Sequence, residues 1–402
     1  MKPFKHLLSR EVAIKIIMET VQPVERTEAA SITQAAGRVL AEDALAGFNV
    51  PPFDRASMDG YAVRAEDTYG ASAFNPKRLS LVHVQHAGEL YDGEVGSGEC
   101  VQIATGSPIP QGADAVVMVE YTRLDGGEVE IQRPAYPGAN ISPIGEDIKA
   151  GDAVLLLGTP LTPARLGVLA ALNMETVDVY VQPSVAVFST GPEVKPLGTA
   201  LEPGQIYDIN SYTLSSMAAR NGCTPSVREI VPDERGAMES AVLEASRHDV
   251  GVFSGGSSVG ARDIFADVVE DLGEVLFHGL QVKPGKPTLF GVVEGTPIFG
   301  MPGYPTSCLS NAYIFLAPAL RKLARLPPRE PRVVRARMGS RIVSSSGREQ
   351  FLTVRLEDGV AHTVYKKSGA ITSMADADGY VILPVNLDVI EEGEEVEVTL
   401  IE

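Results

Sequence analysis

Residues 180–326 constrain the fold of this chain most, because short apolar runs alternate there with helical segments. Such alternation predicts a mainly parallel sheet covered by helices on both faces. The turns that follow the strands of an open α/β sheet meet in one crevice, where ligands bind. The predicted order is strand Val185–Ser189, helix Ser211–Asn221, strand Ser226–Val231, helix Glu234–Arg247, strand Val250–Phe253, helix Asp263–Asp271, strands Val275–Leu280, Pro287–Phe290 and Pro297–Gly300, and helix Thr306–Ala324.

Three further helices are predicted outside this region. Ser9 can cap a helix that ends near Val21 and has one apolar face. Thr27–Ala41 repeats the helical pattern. A brief helix over Arg165–Leu172 follows Thr162, a good cap with a proline after it.

Two other parts of the chain are rich in β patterns. Residues 50–145 contain short apolar runs between Gly, Pro and Asp turns, which predicts a small inserted domain. A proline-rich boundary at 326–331 precedes further β runs, which predict a small all-β barrel or sandwich. The clearest runs are Leu81–Val84, Cys100–Ile103, Ala115–Val119, Arg332–Met338, Phe351–Leu356, His362–Tyr365, Tyr380–Leu383 and Glu394–Ile401.

Length and charge narrow the classes of function. At 402 residues the chain predicts two to four domains. Its net charge of −18 disfavours nucleic acid as a partner, so an anionic ligand needs a local positive site. The three cysteines form no CxxC pair, and neither a signal peptide nor a membrane span is visible. These features predict a cytoplasmic protein without a membrane partner.

Three turns in the central region carry the chemistry. Gly255, Gly256 and Ser257 follow an apolar strand, and Asp263 comes shortly after them; Lys283 and Lys286 stand in a Lys-Pro-Gly-Lys-Pro turn; Pro302, Pro305 and Ser307 lead into the last helix of the region. Backbone N–H groups, two cations and a carboxylate suit a phosphorylated or oxyanionic ligand with a metal ion. Each turn also has an ordinary explanation, namely a tight connection, a carboxylate at a helix start, a solvated pair of lysines or a helix cap.

Seven segments in this order resemble the molybdopterin molybdenumtransferase family, whose module also forms the C-terminal part of gephyrin. A single segment would be weak, but the set covers nearly the whole chain. The segments are Pro52-Phe-Asp-Arg-Ala-Ser-Met-Asp-Gly-Tyr-Ala62, Ile103-Ala-Thr-Gly106 with Gly112-Ala-Asp-Ala-Val116, Ser189-Thr-Gly-Pro-Glu193, Pro203-Gly-Gln-Ile-Tyr-Asp-Ile-Asn-Ser211, Ser254-Gly-Gly-Ser-Ser-Val-Gly260 with Asp263, Lys283-Pro-Gly-Lys-Pro287, and Pro302-Gly-Tyr-Pro305.

The resemblance implies an elongated, multidomain homodimer of the α/β plus β class. It implies a dimerisation domain from residues 1–46 and 146–179 and a β-rich insert over 47–145. Residues 180–326 would form a central three-layer α/β/α domain like that of molybdopterin adenylyltransferase, and residues 327–402 a β-barrel. The active site would be shared between subunits.

The resemblance also assigns roles to residues. Acids would serve the adenylate, the metal and hydrolysis, with Asp233 and Asp263 as Mg²⁺ ligands, and the partner subunit would supply two further catalytic residues. Basic, hydroxyl and turn residues would bind molybdate and the substrate. The catalytic set is Glu193, Asp233, Asp263, Asp59 and Thr105; the binding set is Lys283, Lys286, Ser307, Arg348, Ser368 or Ser373, Gly255, Gly256, Ser257, Pro302 and Pro305.

The implied reaction inserts molybdate or tungstate into adenylylated molybdopterin and releases AMP, with a molybdopterin adenylyltransferase as the substrate donor. One departure from the family pattern is Tyr304, where the family usually has Asn; it leaves the choice between molybdate and tungstate open. Two alternatives remain, a non-catalytic scaffold of the gephyrin type and a molybdopterin adenylyltransferase. The presence of Lys283, Lys286 and Asp263 disfavours the scaffold, and the extra insert and β tail disfavour the adenylyltransferase.

Overall fold

The computed structural model describes residues 7–255, 263–344, 347–366 and 369–401. The chain divides into two compact units. The larger unit comprises the described residues of Met1–Glu28, Gly37–Val39 and Val179–Glu402, and the smaller one Ala29–Ala36 and Leu40–Asp178. The finer division into four domains stays a prediction.

Within the described residues, the first part of the chain contains two α-helices and twelve short strands. They are α1 (Arg10–Thr20), β1 (Thr27–Ser31), β2 (Ala44–Leu45), β3 (Arg55–Ala56), β4 (Gly60–Val63), β5 (Lys77–Gln85), β6 (Glu99–Ile103), β7 (Ala115–Met118), β8 (Thr122–Asp125), β9 (Glu128–Ile131), β10 (Ile141–Ser142), β11 (Ala153–Leu155), α2 (Pro163–Ala171) and β12 (Thr176–Tyr180). Ser9 and Thr162 cap α1 and α2 through their side chains, as predicted.

In the described ranges, the second part contains six α-helices and sixteen strands. They are β13 (Ser184–Ser189), β14 (Val194–Lys195), β15 (Ile206–Tyr207), α3 (Asn210–Arg220), β16 (Thr224–Val227), α4 (Arg235–Ala245), β17 (Val250–Ser254), α5 (Ile264–Leu272), β18 (Gly273–His278), β19 (Val282–Lys283), β20 (Leu289–Val293), β21 (Thr296–Met301), α6 (Pro305–Asn311), α7 (Ala317–Leu323), β22 (Val333–Met338), β23 (Ile342–Val343), β24 (Glu349–Glu357), β25 (Val360–Thr363), α8 (Thr372–Ala375), β26 (Gly379–Leu383), β27 (Val389–Ile390) and β28 (Glu395–Leu400).

The smaller unit is built around a six-stranded sheet in the order β7-β4-β6-β5-β9-β8. Only the β5–β6 pair is parallel. Its core includes Val63, Cys100, Val117 and Val129, each nearly or fully buried. The β-rich character predicted for residues 50–145 is confirmed.

The helix predicted over Thr27–Ala41 is wrong. Strand β1 occupies its start and pairs with β12, and turns follow, with Gly37 in the left-handed region at φ +74°. The apolar residues of this segment are mostly alanines, which contribute little burial energy, so strand pairing outweighs their helix propensity.

The larger unit contains a six-stranded sheet in the order β16-β13-β17-β21-β20-β18. The first four strands are parallel, as predicted, but β20 pairs antiparallel with β21, and β18 pairs antiparallel with β20. The two-residue turn Glu294-Gly295 has positive φ at both positions and joins β20 to β21 as a hairpin. Val185 and Val187 pack with residues of α1, α3 and α7, whereas Ala186 and Phe188 pack with α4 and α5.

Two predicted elements of this sheet region differ in the structure. The strand predicted over Ser226–Val231 ends earlier, as β16 over Thr224–Val227. The single helix predicted over Thr306–Ala324 is interrupted by a π-helical turn, Ala312–Leu316, between α6 and α7. Pro318 lies just beyond that turn and has no N–H to donate to the preceding turn of helix, which explains the change of hydrogen bonding.

The C-terminal strands form a closed ring of five in the order β24-β25-β22-β28-β26, because β26 pairs back onto β24. The predicted barrel is therefore confirmed. Leu352, Val354, Val381 and Val398 fill its interior. Strand β19, which ends at Lys283, pairs in parallel with β24 and so joins the barrel to the sheet region. Among the helices in the described ranges, none is long and apolar enough to cross a membrane.

Candidate functional site

A cavity of about 1060 Å³ opens in the larger unit where sheet strands end beside the barrel. Most of the binding residues predicted from the sequence lie along its wall, together with one predicted acid. They are Glu193, Gly255, Lys283, Lys286, Pro302, Pro305, Ser307 and Arg348. Two lysines and an arginine therefore face one concave space in a chain whose net charge is −18.

The turn after β17 approaches its neighbour closely. Gly255 has φ +93°, and a Cβ there would lie 2.7 Å from the carbonyl oxygen of Thr190. Only glycine fits this position, because a side chain would meet both backbone strain and a clash. The predicted site residues Gly256 and Ser257 lie outside the described residues.

The Lys283–Pro287 turn is held from below by buried groups. Gly285 has φ +100°, and its carbonyl accepts hydrogen bonds from Asn311 Nδ2 at 2.9 Å and Thr288 Oγ1 at 3.0 Å. The carbonyl of Lys286 accepts from the N–H groups of Leu280 at 2.8 Å and Thr288 at 3.0 Å. Both lysine residues are half-buried. The backbone that carries the two cations is thus fixed.

The third turn leads into α6, which begins at Pro305 after Tyr304. The Gly303 carbonyl accepts a hydrogen bond from Asn210 Nδ2 at 2.8 Å. Ser307 is buried on the cavity wall. Tyr304 is 65% exposed and lines the cavity near Gly369, so its ring limits the space on the barrel side.

The predicted acids do not all lie together. Burial, and then the charge of Glu193, raises the pKa of Asp233, so these two carboxylates interact. Asp263 instead caps α5 through a hydrogen bond from the Ala266 N–H at 3.1 Å. Its Oδ2 lies 3.3 Å from His278 Nε2, and burial raises its pKa although the Ala266 bond and His278 lower it. Within the described residues, neither aspartate lines the cavity.

Of the two tail serines predicted to bind the oxyanion, the structure describes one. Ser373 is fully buried, and its Oγ accepts a hydrogen bond from the Lys366 N–H at 3.0 Å. Ser368 lies outside the described residues. Tyr365 and Gly369 are the residues that bring this stretch of the tail to the cavity wall.

Sequence reasoning missed several cavity residues. Asp208 is buried, and its Oδ1 accepts hydrogen bonds from Ser189 Oγ at 2.7 Å and the Ser211 N–H at 3.1 Å. Ser189 Oγ also lies 3.2 Å from Ser254 Oγ, so the ends of β13 and β17 share one network. Asp208 stands in the Tyr-Asp-Ile-Asn-Ser segment, one of the family motifs, and that position is the signal in the sequence that could have identified it.

Asp59 and Thr105 lie together in the smaller unit. Asp59 Oδ1 accepts from the Thr105 N–H at 2.7 Å and from Thr105 Oγ1 at 2.8 Å. The backbone bond first, and the hydroxyl bond second, lower the pKa of the exposed Asp59 carboxyl. The pair therefore presents a carboxylate that stays ionised in mild acid.

The fold and the cavity define a multidomain protein that has an α/β sheet, a closed β-barrel and a cavity lined by Lys283, Lys286 and Arg348. Family models match nearly the whole chain in three consecutive stretches. They are the MoeA N-terminal region (domain I and II) over residues 8–173, a probable molybdopterin binding domain over 186–322, and the MoeA C-terminal region (domain IV) over 335–401. The chain belongs to the MoeA family of molybdopterin molybdenumtransferases, which confirms the resemblance.

Individual relatives agree with this assignment. A molybdopterin molybdenumtransferase of Haemophilus influenzae is 38% identical over 319 residues, 79% of this chain and 78% of the relative. One of Staphylococcus aureus (strain COL) is 32% identical over 379 residues, 92% of this chain and 90% of the relative. The crystal structure of a molybdopterin biosynthesis MoeA protein from Pyrococcus horikosii is similar with a TM-score of 0.83, at 40% identity, covering 98% of this chain and 99% of that one.

Proposed function

We propose that this chain is a molybdopterin molybdenumtransferase that inserts molybdate or tungstate into adenylylated molybdopterin and releases AMP. The relatives supply the class of reaction by their names. The observation that carries the proposal is the convergence of Lys283, Lys286 and Arg348 on one cavity beside Ser307. A local cluster of cations in an acidic chain is what a small oxyanion requires.

The cavity residues suit a tetrahedral dianion next to a phosphorylated substrate. Charge-assisted hydrogen bonds from ammonium and guanidinium groups are about twice as strong as neutral ones. Because the lysine turn is fixed before the ligand arrives, little reorganisation is needed when negative charge develops during the reaction. Ser307 adds a hydroxyl donor in the same wall. Binding and charge stabilisation are thus the roles of these residues.

The acids fit a divalent cation in part. Burial first, and the charge of Glu193 second, raise the pKa of Asp233, and a shared cation would offset the repulsion between the two carboxylates. Among the described residues, Asp263 Oδ2 is buried without a hydrogen-bond partner, although it faces His278. We propose that Asp233 and Asp263, with Glu193 beside Asp233, would hold Mg²⁺. Bound there, Mg²⁺ would polarise a phosphoryl oxygen of the substrate.

No group of three or more His, Cys, Asp or Glu side chains arranged to hold a metal is found in the described ranges. The metal assignment therefore rests on the paired acids and on the family. The choice between molybdate and tungstate stays open, because Tyr304 narrows the cavity without identifying the metal.

We extend the proposal to the assembly and its setting. The chain would form a homodimer in which Asp59 and Thr105 of each subunit serve the cavity of the other. An exposed, ionised carboxylate supports such a role, since it is accessible to a second subunit. The sheet domain would share the fold of molybdopterin adenylyltransferase. A separate molybdopterin adenylyltransferase would donate the substrate to this chain. The buried, unbridged cysteines Cys100, Cys223 and Cys308 are consistent with work in the cytoplasm.

A single assay tests the reaction against its alternatives. The purified protein is incubated with adenylylated molybdopterin, with or without molybdate, and AMP is measured. We expect AMP release that depends on molybdate. Consumption of ATP with free molybdopterin would instead indicate an adenylyltransferase. No turnover of either substrate by a folded protein would favour a scaffold and contradict the proposal.

A further inference from the structure

Asn311 lies under the lysine turn and joins it to α6. The residue is fully buried, and its Nδ2 donates to the carbonyl of Gly285 at 2.9 Å and to Thr288 Oγ1 at 2.7 Å. Thr288 Oγ1 in turn donates to the same Gly285 carbonyl at 3.0 Å. The three groups form a closed set of hydrogen bonds beneath the two lysines.

The contact between Gly285 and Asn311 is too close for any residue other than glycine at position 285. A Cβ on Gly285 would lie 2.3 Å from Asn311 Nδ2, and the φ of +100° would strain it as well. Lys286 follows Gly285 directly, and Lys283 precedes it by two residues. Any shift of Asn311 therefore moves the backbone between the two cations.

The polarity of Asn311 costs stability, which argues for a specific role. Among the described residues its Oδ1 is buried without a hydrogen-bond partner. Such a group is unfavourable in a protein interior, and an apolar side chain of similar size would avoid the cost. An aspartate would place a negative charge under the lysines and compete with the oxyanion. Asparagine is neutral, and its amide NH₂ group can still donate hydrogen bonds to both Gly285 and Thr288.

We propose that Asn311 is a positioning residue that sets the spacing and direction of Lys283 and Lys286 for the oxyanion. This inference rests on the proposed function, because it assumes that the lysines bind molybdate. Asn311 contacts the turn and, in the described part of the chain, does not line the cavity. Through α6 it also links the lysine turn to Ser307, which lies one helical turn earlier on the cavity wall.

A double-mutant cycle tests the inference. Molybdate binding is measured by calorimetry for Asn311→Ala, Lys286→Ala and the double variant, and thermal unfolding is followed in parallel. We expect Asn311→Ala to weaken molybdate binding by about tenfold to a hundredfold, the cost of misplacing binding groups by about 1 Å. In the Lys286→Ala background the same change should cost much less, because the two residues act through one turn.

Asn221→Ala is the matched control. Asn221 is also buried and donates from Nδ2 to a backbone carbonyl, that of Met217 at 2.7 Å, but it does not line this cavity in the described part of the chain. It should lower the unfolding temperature without changing molybdate affinity. If Asn311→Ala does not fold, Thr288→Val is the second variant. It removes one of the two hydrogen-bond acceptors of Asn311 with little change of volume and should weaken molybdate binding by a few-fold.

The outcomes separate the inference from the function. Unchanged molybdate binding in folded Asn311→Ala or Thr288→Val, with Lys286→Ala weakened, would overturn the positioning role alone. Full additivity of the two losses would overturn it too, since independent residues add. Unchanged binding in Lys286→Ala would overturn both the inference and the proposed oxyanion site.

Discussion

The lysine turn of the larger unit and the Asp59–Thr105 pair of the smaller unit present charge in opposite ways. The lysine turn is fixed by fully buried groups, Asn311 and Thr288, which lie behind it. Asp59 is exposed, and its carboxyl accepts two hydrogen bonds from Thr105. In the first region the position of the charge depends on buried groups of the core, whereas in the second the ionisation of the charge depends on a surface contact with Thr105.

The largest expected effect tests the cavity itself. Lys286→Ala removes a cation from a concave wall where Lys283 and Arg348 also lie. Loss of one preorganised donor of this kind typically lowers rate by about 100-fold to 1000-fold. We expect molybdate-dependent AMP release to fall by that amount while unfolding by heat changes little. Steady-state kinetics at several molybdate concentrations measures it.

The matched control for this variant is Lys15→Ala. Lys15 is an exposed lysine of α1 in the same unit, paired with Glu19 at 3.8 Å, and its removal changes the net charge equally. It should leave AMP release unchanged. Equal losses in the two lysine variants would mean that only the overall charge matters, and the contrast between a built site and a simple surface charge would disappear.

An intermediate effect concerns the acids near the cavity. Asp233→Asn removes the repulsion with Glu193, so the metal-free protein should gain slight stability while Mg²⁺ affinity falls by at least about tenfold. Asp263→Asn should also weaken Mg²⁺ binding and leave α5 intact, because asparagine caps a helix as well as aspartate does. Calorimetric titration with Mg²⁺ and thermal unfolding measure both effects.

Asp271→Asn serves as the control for the acids. Asp271 is an exposed carboxylate of α5 that pairs with Arg235 on the surface. Its loss should not change Mg²⁺ affinity. Wild-type Mg²⁺ affinity in both Asp233→Asn and Asp263→Asn would exclude these residues from the proposed metal site.

The comparison also shows which features a sequence can predict. The lysine turn is encoded locally by two prolines and a glycine, and the caps Ser9 and Thr162 lie next to the helices they begin. Strand and helix alternation predicted the parallel part of the sheet, because each element carries its own periodicity. Local information was sufficient in all these cases.

Contacts between distant segments could not be predicted in the same way. Asn311 is 26 residues from Gly285, and its pairing depends on how α6 packs beneath the turn. The approach of His278 to Asp263 likewise requires β18 and the start of α5 to be placed in three dimensions. The sequence therefore predicted Glu193, the two lysines and Arg348, whereas Asp208 and the residues that position the lysines were identified only in the structure.

The smallest expected effect tests the exposed pair. Thr105→Val removes the hydroxyl bond to Asp59 and keeps the backbone bond, which is the larger cause of the lowered pKa. The pKa of Asp59 should rise part of the way toward its ordinary value. A lowered pKa in the folded state stabilises the protein above the unfolded value, and this contribution is lost as pH falls through the lowered pKa. Thr105→Val should therefore lose this contribution to stability at a higher pH than the wild type. At neutral pH the Asp59 carboxyl should be ionised in both proteins.

Carbon-13 NMR titration of the Asp59 carboxyl measures this shift directly. Thr122→Val is the control, because Thr122 is in the same unit and donates its hydroxyl to the carbonyl of Val119 instead of to a carboxylate. It should leave the pKa of Asp59 unchanged. A fall in the pKa of Asp59 in Thr105→Val, or an equal rise in Thr122→Val, would show that the ionisation of this carboxylate is not governed by its contact with Thr105. The pKa of Asp59 would then depend on other residues of the smaller unit, just as the position of the lysine turn depends on the buried Asn311.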